Sequence, residues 1–193
     1  MKLPHFQEEG LCCFLTSTTY GRKPLFRINQ YAQILCNIIY NLRNKGKLSL
    51  LGFVIMPEHF HLLIMPRKGV KISWIMQEIK KGSARLINKD RFGRAQGRAR
   101  LPDGILGRLR LSINSPWYSG SSRTPNKVWM DEYYDYVIRN EEDLVKHLNY
   151  ISYNPVKRGL VESPGKYLWS STNPMFENDL VNVMSGSGAS PTT

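Results

Sequence analysis

His59 and His61 flank Phe60 in the apolar run Val54-Ile55-Met56-Pro57-Glu58-His59-Phe60-His61-Leu62-Leu63. Side chains alternate across a strand, so two imidazoles at i and i+2 stand together on one side while Phe60 faces the opposite layer. Such a pair can hold one divalent cation. A second group sits near the end of a predicted helix, in Tyr150-Ile151-Ser152-Tyr153-Asn154-Pro155. Tyr150 and Asn154, four apart, share a helical face, and His147 lies about one turn earlier on it. A phenol is a nucleophile, a carboxamide is a neutral oxygen ligand, and His147 is a candidate proton acceptor that could equally serve in packing. Taken singly these patterns are ordinary, because strand histidines and helical tyrosines more often pack than react. Tyr133, Tyr134, Tyr136 and Tyr153 are rival nucleophiles by chemistry. Tyr150 is preferred because Tyr153 should point away from the face shared with Asn154 and the others precede the helix.

The elements that must position these groups can be read from periodicity. Leu11 to Thr19 is β-prone and ends in the turn-like Tyr20-Gly21-Arg22-Lys23-Pro24. Ile34, Leu35, Ile38, Ile39 and Leu42 recur at helical spacing, predicting a helix capped by Asn29 and closed before Gly46. Leu48 to Met56 and His59 to Met65, separated by Pro57-Glu58, predict an antiparallel hairpin in the sheet core. A helix from Ser73 to about Asn88 should turn Trp74, Ile75, Ile79 and Leu86 inward and leave Lys80, Lys81 and Arg85 free for solvent or phosphate. After an aromatic strand from Val128 to Ile138, Asn140-Glu141-Glu142-Asp143 opens a last helix expected to stop at Asn154-Pro155.

Composition narrows the class. With 193 residues, 41% of them hydrophobic, the chain suits one domain with a proper core. No apolar run approaches the roughly 18 residues of a membrane span, and no signal-peptide core precedes the first strand, so a cytoplasmic protein without a membrane partner is expected. Three cysteines, Cys12, Cys13 and Cys36, form neither a disulfide framework nor a zinc-ligand spacing. A net charge of +12 favours encounter with polyanions and makes nucleic acid the leading partner class. Residues 90–127 concentrate that charge in a stretch rich in Gly, Ser, Pro and Arg without periodicity, read as a basic, mobile insertion. The insertion is either a clamp on nucleic acid or a tolerated solvent loop. A tail is expected over 173–193, with disorder from about 185.

The histidine run, together with Val128-Trp129, Val137-Ile138-Arg139-Asn140, Tyr150-Ile151, Asn154-Pro155-Val156-Lys157-Arg158-Gly159-Leu160-Val161 and Trp169-Ser170-Ser171, resembles the REP-associated tyrosine transposases, single-tyrosine HUH enzymes of the insertion-sequence type. Two separated blocks agree, covering about residues 8–89 and 128–172. The resemblance implies an α+β, ferredoxin-like antiparallel sheet with helices packed on it, in one domain over 8–172. It implies His59 and His61 as metal ligands, Asn154 as the residue completing the metal shell, and Tyr150 as the nucleophile. Met130, where the family commonly carries Gln, and the insertion are departures that bear on DNA binding.

The expected activity is cleavage and rejoining of single-stranded DNA at hairpin-forming palindromes, through a 5'-phosphotyrosine intermediate and with Mg²⁺ or Mn²⁺. Lys80, Lys81, Arg85, Lys157 and Arg158 are candidate DNA contacts. A homodimer is left open. Two alternatives remain: a non-catalytic nucleic-acid-binding module of the same fold, and a water-using, metal-dependent hydrolase.

Overall fold

The structure, a computed structural model, describes residues 11–95 and 127–184, with the side chains of 93–95, 182 and 183 excepted. Its elements are β1 (Cys13–Thr18), α1 (Asn29–Asn44), β2 (Leu48–Met56), β3 (His59–Pro66), α2 (Ile72–Ala95), β4 (Tyr134–Val137), α3 (Glu141–Lys157) and the short α4 (Leu180–Met184). The four strands form one sheet in the order β2-β3-β1-β4, every neighbouring pair antiparallel. With β3 lying between β1 and β2, this is the ferredoxin-like α+β arrangement expected above.

Two layers of different character cover the sheet. On one face Leu15, Phe53, Ile55, Phe60, Leu62 and Ile64 meet Leu35, Ile39, Ile75 and Ile79 of α1 and α2. On the other, Phe14, Leu51, Val54, Met56 and Leu63 meet Ile151 of α3, with Leu144 and Leu148 at the margin. Strict alternation along β2 would put Leu50 and Gly52 on the same face. The ladder slips there, pairing Leu50 with Ile64 and Gly52 with Leu63, so both Leu51 and Gly52 turn toward α3. A Cβ on Gly52 would stand 3.2 Å from Leu148 Cδ2 and 3.7 Å from Ile151 Cδ1. The bulge and the missing side chain together let α3 sit close against the sheet.

The outer edge of β2 is covered by the C-terminal segment. Ser170 bridges Val54, the Ile55 amide donates to the Trp169 carbonyl at 2.8 Å, and the Ser171 amide donates to that of Phe53 at 2.9 Å. Farther on, Asp179 accepts the Leu50 amide and receives the guanidinium of Arg43 at 2.7 Å, while Phe176 joins the core. Part of the stretch 173–184, expected as tail, is therefore packed on the domain through Phe176 and Asp179, while Met175, Val181 and Met184 stay exposed. Residues 185–193 lie outside the described residues.

Several boundaries differ from the sequence reading. Asn29 is inside α1 rather than its cap, and its side-chain oxygen accepts the Trp169 indole N–H at 3.1 Å. In α2 the inward stripe is Ile72, Ile75, Met76, Ile79, Ser83 and Ile87, leaving Trp74 39% exposed and Leu86 half-buried. That helix continues to Ala95, into the stretch assigned to the basic insertion; residues 96–126 lie outside the described residues. The aromatic stretch yields only four strand residues, with Trp129 joined to Thr19 by an isolated bridge. Asn140 caps α3 as expected, accepting the Asp143 amide at 2.8 Å, but the helix runs through Pro155 to Lys157. It ends at Gly159, whose positive φ of 64° closes the last turn onto the Val156 carbonyl.

Candidate active site

The hairpin tip is fixed before any chemistry is considered. The Pro57 carbonyl accepts the Phe26 amide at 2.9 Å, and the Glu58 carbonyl accepts the amide and hydroxyl of Thr19 at 2.8 and 3.0 Å. From this anchored turn β3 sends Phe60 into the α1/α2 face and His59 and His61 to the α3 face. The two Nε2 atoms lie 3.1 Å apart, with the rings edge to face.

Each imidazole is oriented through its other nitrogen. His59 Nδ1 lies 3.2 Å from Glu58 Oε1, and since a carboxylate only accepts, the proton sits on Nδ1 and the Nε2 lone pair faces His61 Nε2. His61 Nδ1 lies 2.7 Å from the hydroxyl of Thr16, its register partner on β1. Burial pushes the pKa of His61 down to about 3, with the charge of His59 adding to the effect. Burial lowers His59 as well, partly offset by Glu58. Both rings are thus neutral near pH 7 and able to present lone pairs, the state metal binding requires.

Two ligands about 2.1 Å from one ion at a near-right angle stand roughly 3 Å from each other, the spacing seen here. The donor set therefore fits a divalent cation. Among the described residues no three His, Cys, Asp or Glu side chains form a metal cluster, so further ligands would be amide, water or substrate oxygens. Asn154, 8% exposed, is a buried residue of α3, as are Ile151 and Pro155.

Tyr150 approaches the same place from α3. Its ring stands edge-on to His61 with centroids 5.0 Å apart and also meets Phe14 at 5.9 Å. At 43% exposure it remains open to a ligand. His147, one turn back, is held by Phe14 at 4.8 Å and stacked on Tyr136 at 5.1 Å. Its Nδ1 is engaged by the Asp143 carbonyl at 2.8 Å. Tyr150 opens onto a groove of about 1210 Å³ shared with Tyr134, Tyr136, Tyr153, Arg139, Lys146 and Lys157. Tyr153 thus opens to the same groove as Tyr150, whereas helical spacing alone had turned it away.

The candidate DNA contacts separate. Lys157 lines the groove. Arg158 pairs with Glu58 beside His59. Lys80 is not free: its ammonium donates to the Asp131 carbonyl at 2.7 Å, and burial lowers its pKa. Lys81 and Arg85 are exposed, but α2 carries them on the layer opposite Tyr150. Met130 is 44% exposed and lines a smaller hollow of about 480 Å³ with Thr16, Arg22 and Tyr134. Thr16, Glu58 and the Arg158 pairing escaped the sequence reading. Only Glu58, adjacent to the histidines, carried a local signal; Thr16 depends on the β1–β3 register.

Comparison with known proteins agrees with this geometry. A family model described as IS200-like transposase matches residues 14–98. A protein of Haemophilus influenzae, provisionally described as a REP-associated tyrosine transposase, is 43% identical over 44 residues, 23% of this chain and only 25% of that relative. The REP-associated tyrosine transposase of Escherichia coli K12 is 23% identical over 164 residues, 84% of this chain and 77% of its own. A solved REP-associated tyrosine transposase bound to a REP hairpin shares the fold with a TM-score of 0.60 and 23% identity, over 89% of this chain and 82% of that one. No described helix is long and apolar enough to cross a membrane. With the histidine strand inside the matched region, the chain is similar to the IS200-like transposases over residues 14–98 and to the REP-associated tyrosine transposase of E. coli over most of its length.

Proposed function

We propose that the protein cleaves and rejoins single-stranded DNA beside hairpin-forming palindromes, with Tyr150 as the nucleophile. The observation that carries this reading is convergence: two neutral imidazoles present Nε2 atoms 3.1 Å apart, and the Tyr150 ring stands 5.0 Å from His61. His59, His61 and Asn154 would hold Mg²⁺ or Mn²⁺, which supplies Lewis-acid polarisation of a phosphate when bound. The phenol oxygen of Tyr150 attacks phosphorus, a P–O bond to the enzyme forms, and the bond to the 3'-oxygen breaks. The phenol proton passes to solvent and the departing 3'-oxygen takes one up. Because the phosphodiester energy is kept in the tyrosine ester, the reverse attack by a 3'-hydroxyl joins strands without a nucleotide cofactor.

The packing of His147 favours a bracing role over proton acceptance, since its Nδ1 is occupied and Phe14 and Tyr136 hold its ring. Unpaired bases would stack on the groove tyrosines while Arg139, Lys146 and Lys157 meet phosphates. The hairpin is proposed as partner because a relative of the same fold has been solved bound to one.

The test is a labelled single-stranded hairpin incubated with the protein and Mn²⁺ or Mg²⁺, followed by denaturing electrophoresis. An SDS-resistant protein–DNA adduct is expected, lost on chelation and reduced on the order of 10⁴-fold or more in Tyr150→Phe. Strand cutting that persists without adduct in Tyr150→Phe would identify a water-using hydrolase. Tight hairpin binding with neither cutting nor adduct would identify a binding module.

A further inference from the structure

Glu58 occupies the second position of the turn between the strands and is 8% exposed, a costly place for a carboxylate unless it is fully partnered. Its partners come from two directions. On its own strand, Oε1 lies 3.2 Å from His59 Nδ1. Across the gap, the same oxygen receives Arg158 from the residue just past α3, four positions after Asn154 and eight after Tyr150. The Arg158 amide also closes the helix onto the Asn154 carbonyl at 3.1 Å. One buried carboxylate oxygen therefore joins the histidine strand to the end of the helix that carries the phenol and the carboxamide.

We propose that Glu58 is a positioning residue that fixes the imidazole of His59 and, through Arg158, locks the end of α3 to the histidine strand. This rests on the function proposed above. With its proton held on Nδ1 by the carboxylate, His59 keeps its Nε2 lone pair directed at His61 and becomes more basic toward a cation. Arg158 neutralises the carboxylate and ties the helix end to it. Losing the carboxylate should thus weaken the cation site itself, whereas losing the arginine should disturb the relation of Tyr150 to that site.

Mn²⁺ binding to the full chain without DNA, followed by the paramagnetic resonance of the free ion, separates the two roles. His61→Ala serves as the reference for loss of the site. Glu58→Ala is expected to weaken Mn²⁺ about 10- to 100-fold, with Glu58→Gln in between. Circular dichroism accompanies each titration, and if Glu58→Ala does not fold, Glu58→Gln decides. Arg158→Gln should weaken Mn²⁺ less than Glu58→Ala does, since the two histidines stay in place and only Asn154 is displaced with the helix end. It should, however, lower kcat for adduct formation at saturating hairpin, with partial rescue by Arg158→Lys. Parental Mn²⁺ affinity in both folded Glu58 variants would overturn the proposal, as would an Arg158→Gln defect confined to KM, which marks a simple DNA contact. If His61→Ala also binds Mn²⁺ like the parent, the metal reading of the site fails instead.

Discussion

The two faces of one sheet have been put to different uses, and β3 shows it residue by residue. Phe60, fully buried, faces α1 and α2 among aliphatic and aromatic side chains. His59 and His61, its neighbours on either side, face α3 beside a smaller apolar cluster, and Tyr150, in contact with His61, opens onto the groove. The first face can be filled for stability because nothing must enter it. The second packs Phe14, Val54 and Met56 beside the histidines, so that the polar groups are buried and oriented while Tyr150, half-exposed, opens to the groove. A rigid dry layer behind the site also limits how far the histidines can move.

Paired substitutions on this strand should break the comparison if it is wrong. Phe60→Ala is expected to cost about 3–5 kcal/mol, from lost burial and the cavity left behind. His61→Ala should cost no more than about 1.5 kcal/mol, yet abolish Mn²⁺-dependent adduct formation. Denaturant unfolding of both variants, set beside the adduct assay, is the measurement. Equal losses of stability would mean that the α3 face is as much a structural core as the other.

Acid should then discriminate between the faces in the metal-free protein. His61 has a folded pKa of about 3 against a reference of 6.5, so in that window the unfolded chain binds a proton that the folded chain refuses. Stability rises with pH wherever the unfolded state binds more protons, and it is lost as pH falls from about 6.5 towards 3, by at most about 1.4 kcal/mol per unit for each such group. His59, shifted the same way, adds to the slope. Asp179, lowered below 3.8 despite its burial by the side chain of Arg43 and the Leu50 amide, contributes only at the acid end. Unfolding free energies measured between about pH 6.5 and 4.5 should fall clearly in the parent and less in His61→Ala. Parallel curves would show that His61 is not held neutral by its surroundings.

The strand pair and the helix face were legible because each depends on local periodicity, and the hairpin because Pro57-Glu58 interrupts two apolar runs. What could not be read came from partners far apart in sequence. Thr16 meets His61 only through the β1–β3 register, and Arg158 meets Glu58 only once α3 has docked. The bulge at Leu51 defeats a period-2 reading of β2, because every residue of that strand is buried and no polar position marks the slip. Trp74 was placed inward by hydrophobicity alone, when the stripe of isoleucines beside it had already filled the interface. The segment after Trp169 looked like tail because its contacts with α1 and β2 are made by single residues, Phe176 and Asp179, rather than by any repeating pattern.

The smallest predicted effect is the sharpest test of which face meets DNA. Lys146 and Lys157 line the groove beside Tyr150, whereas Lys81 and Arg85 ride on α2 behind the opposite face. If charge alone governed binding, neutralising either pair would weaken hairpin affinity equally. A strand seated in the groove can contact only the first pair, and each lost phosphate contact should lower the slope of log affinity against log salt by about 0.7–0.9. Lys146→Gln with Lys157→Gln is therefore expected to reduce that slope by up to twice this amount. Lys81→Gln with Arg85→Gln should leave it nearly unchanged, since long-range attraction from the far layer is screened beyond about 10 Å at ordinary salt. Titrations of a fluorescent hairpin at several salt concentrations measure both pairs together. Equal slopes in the two double variants would mean that the DNA wraps around the sheet and uses both of its faces.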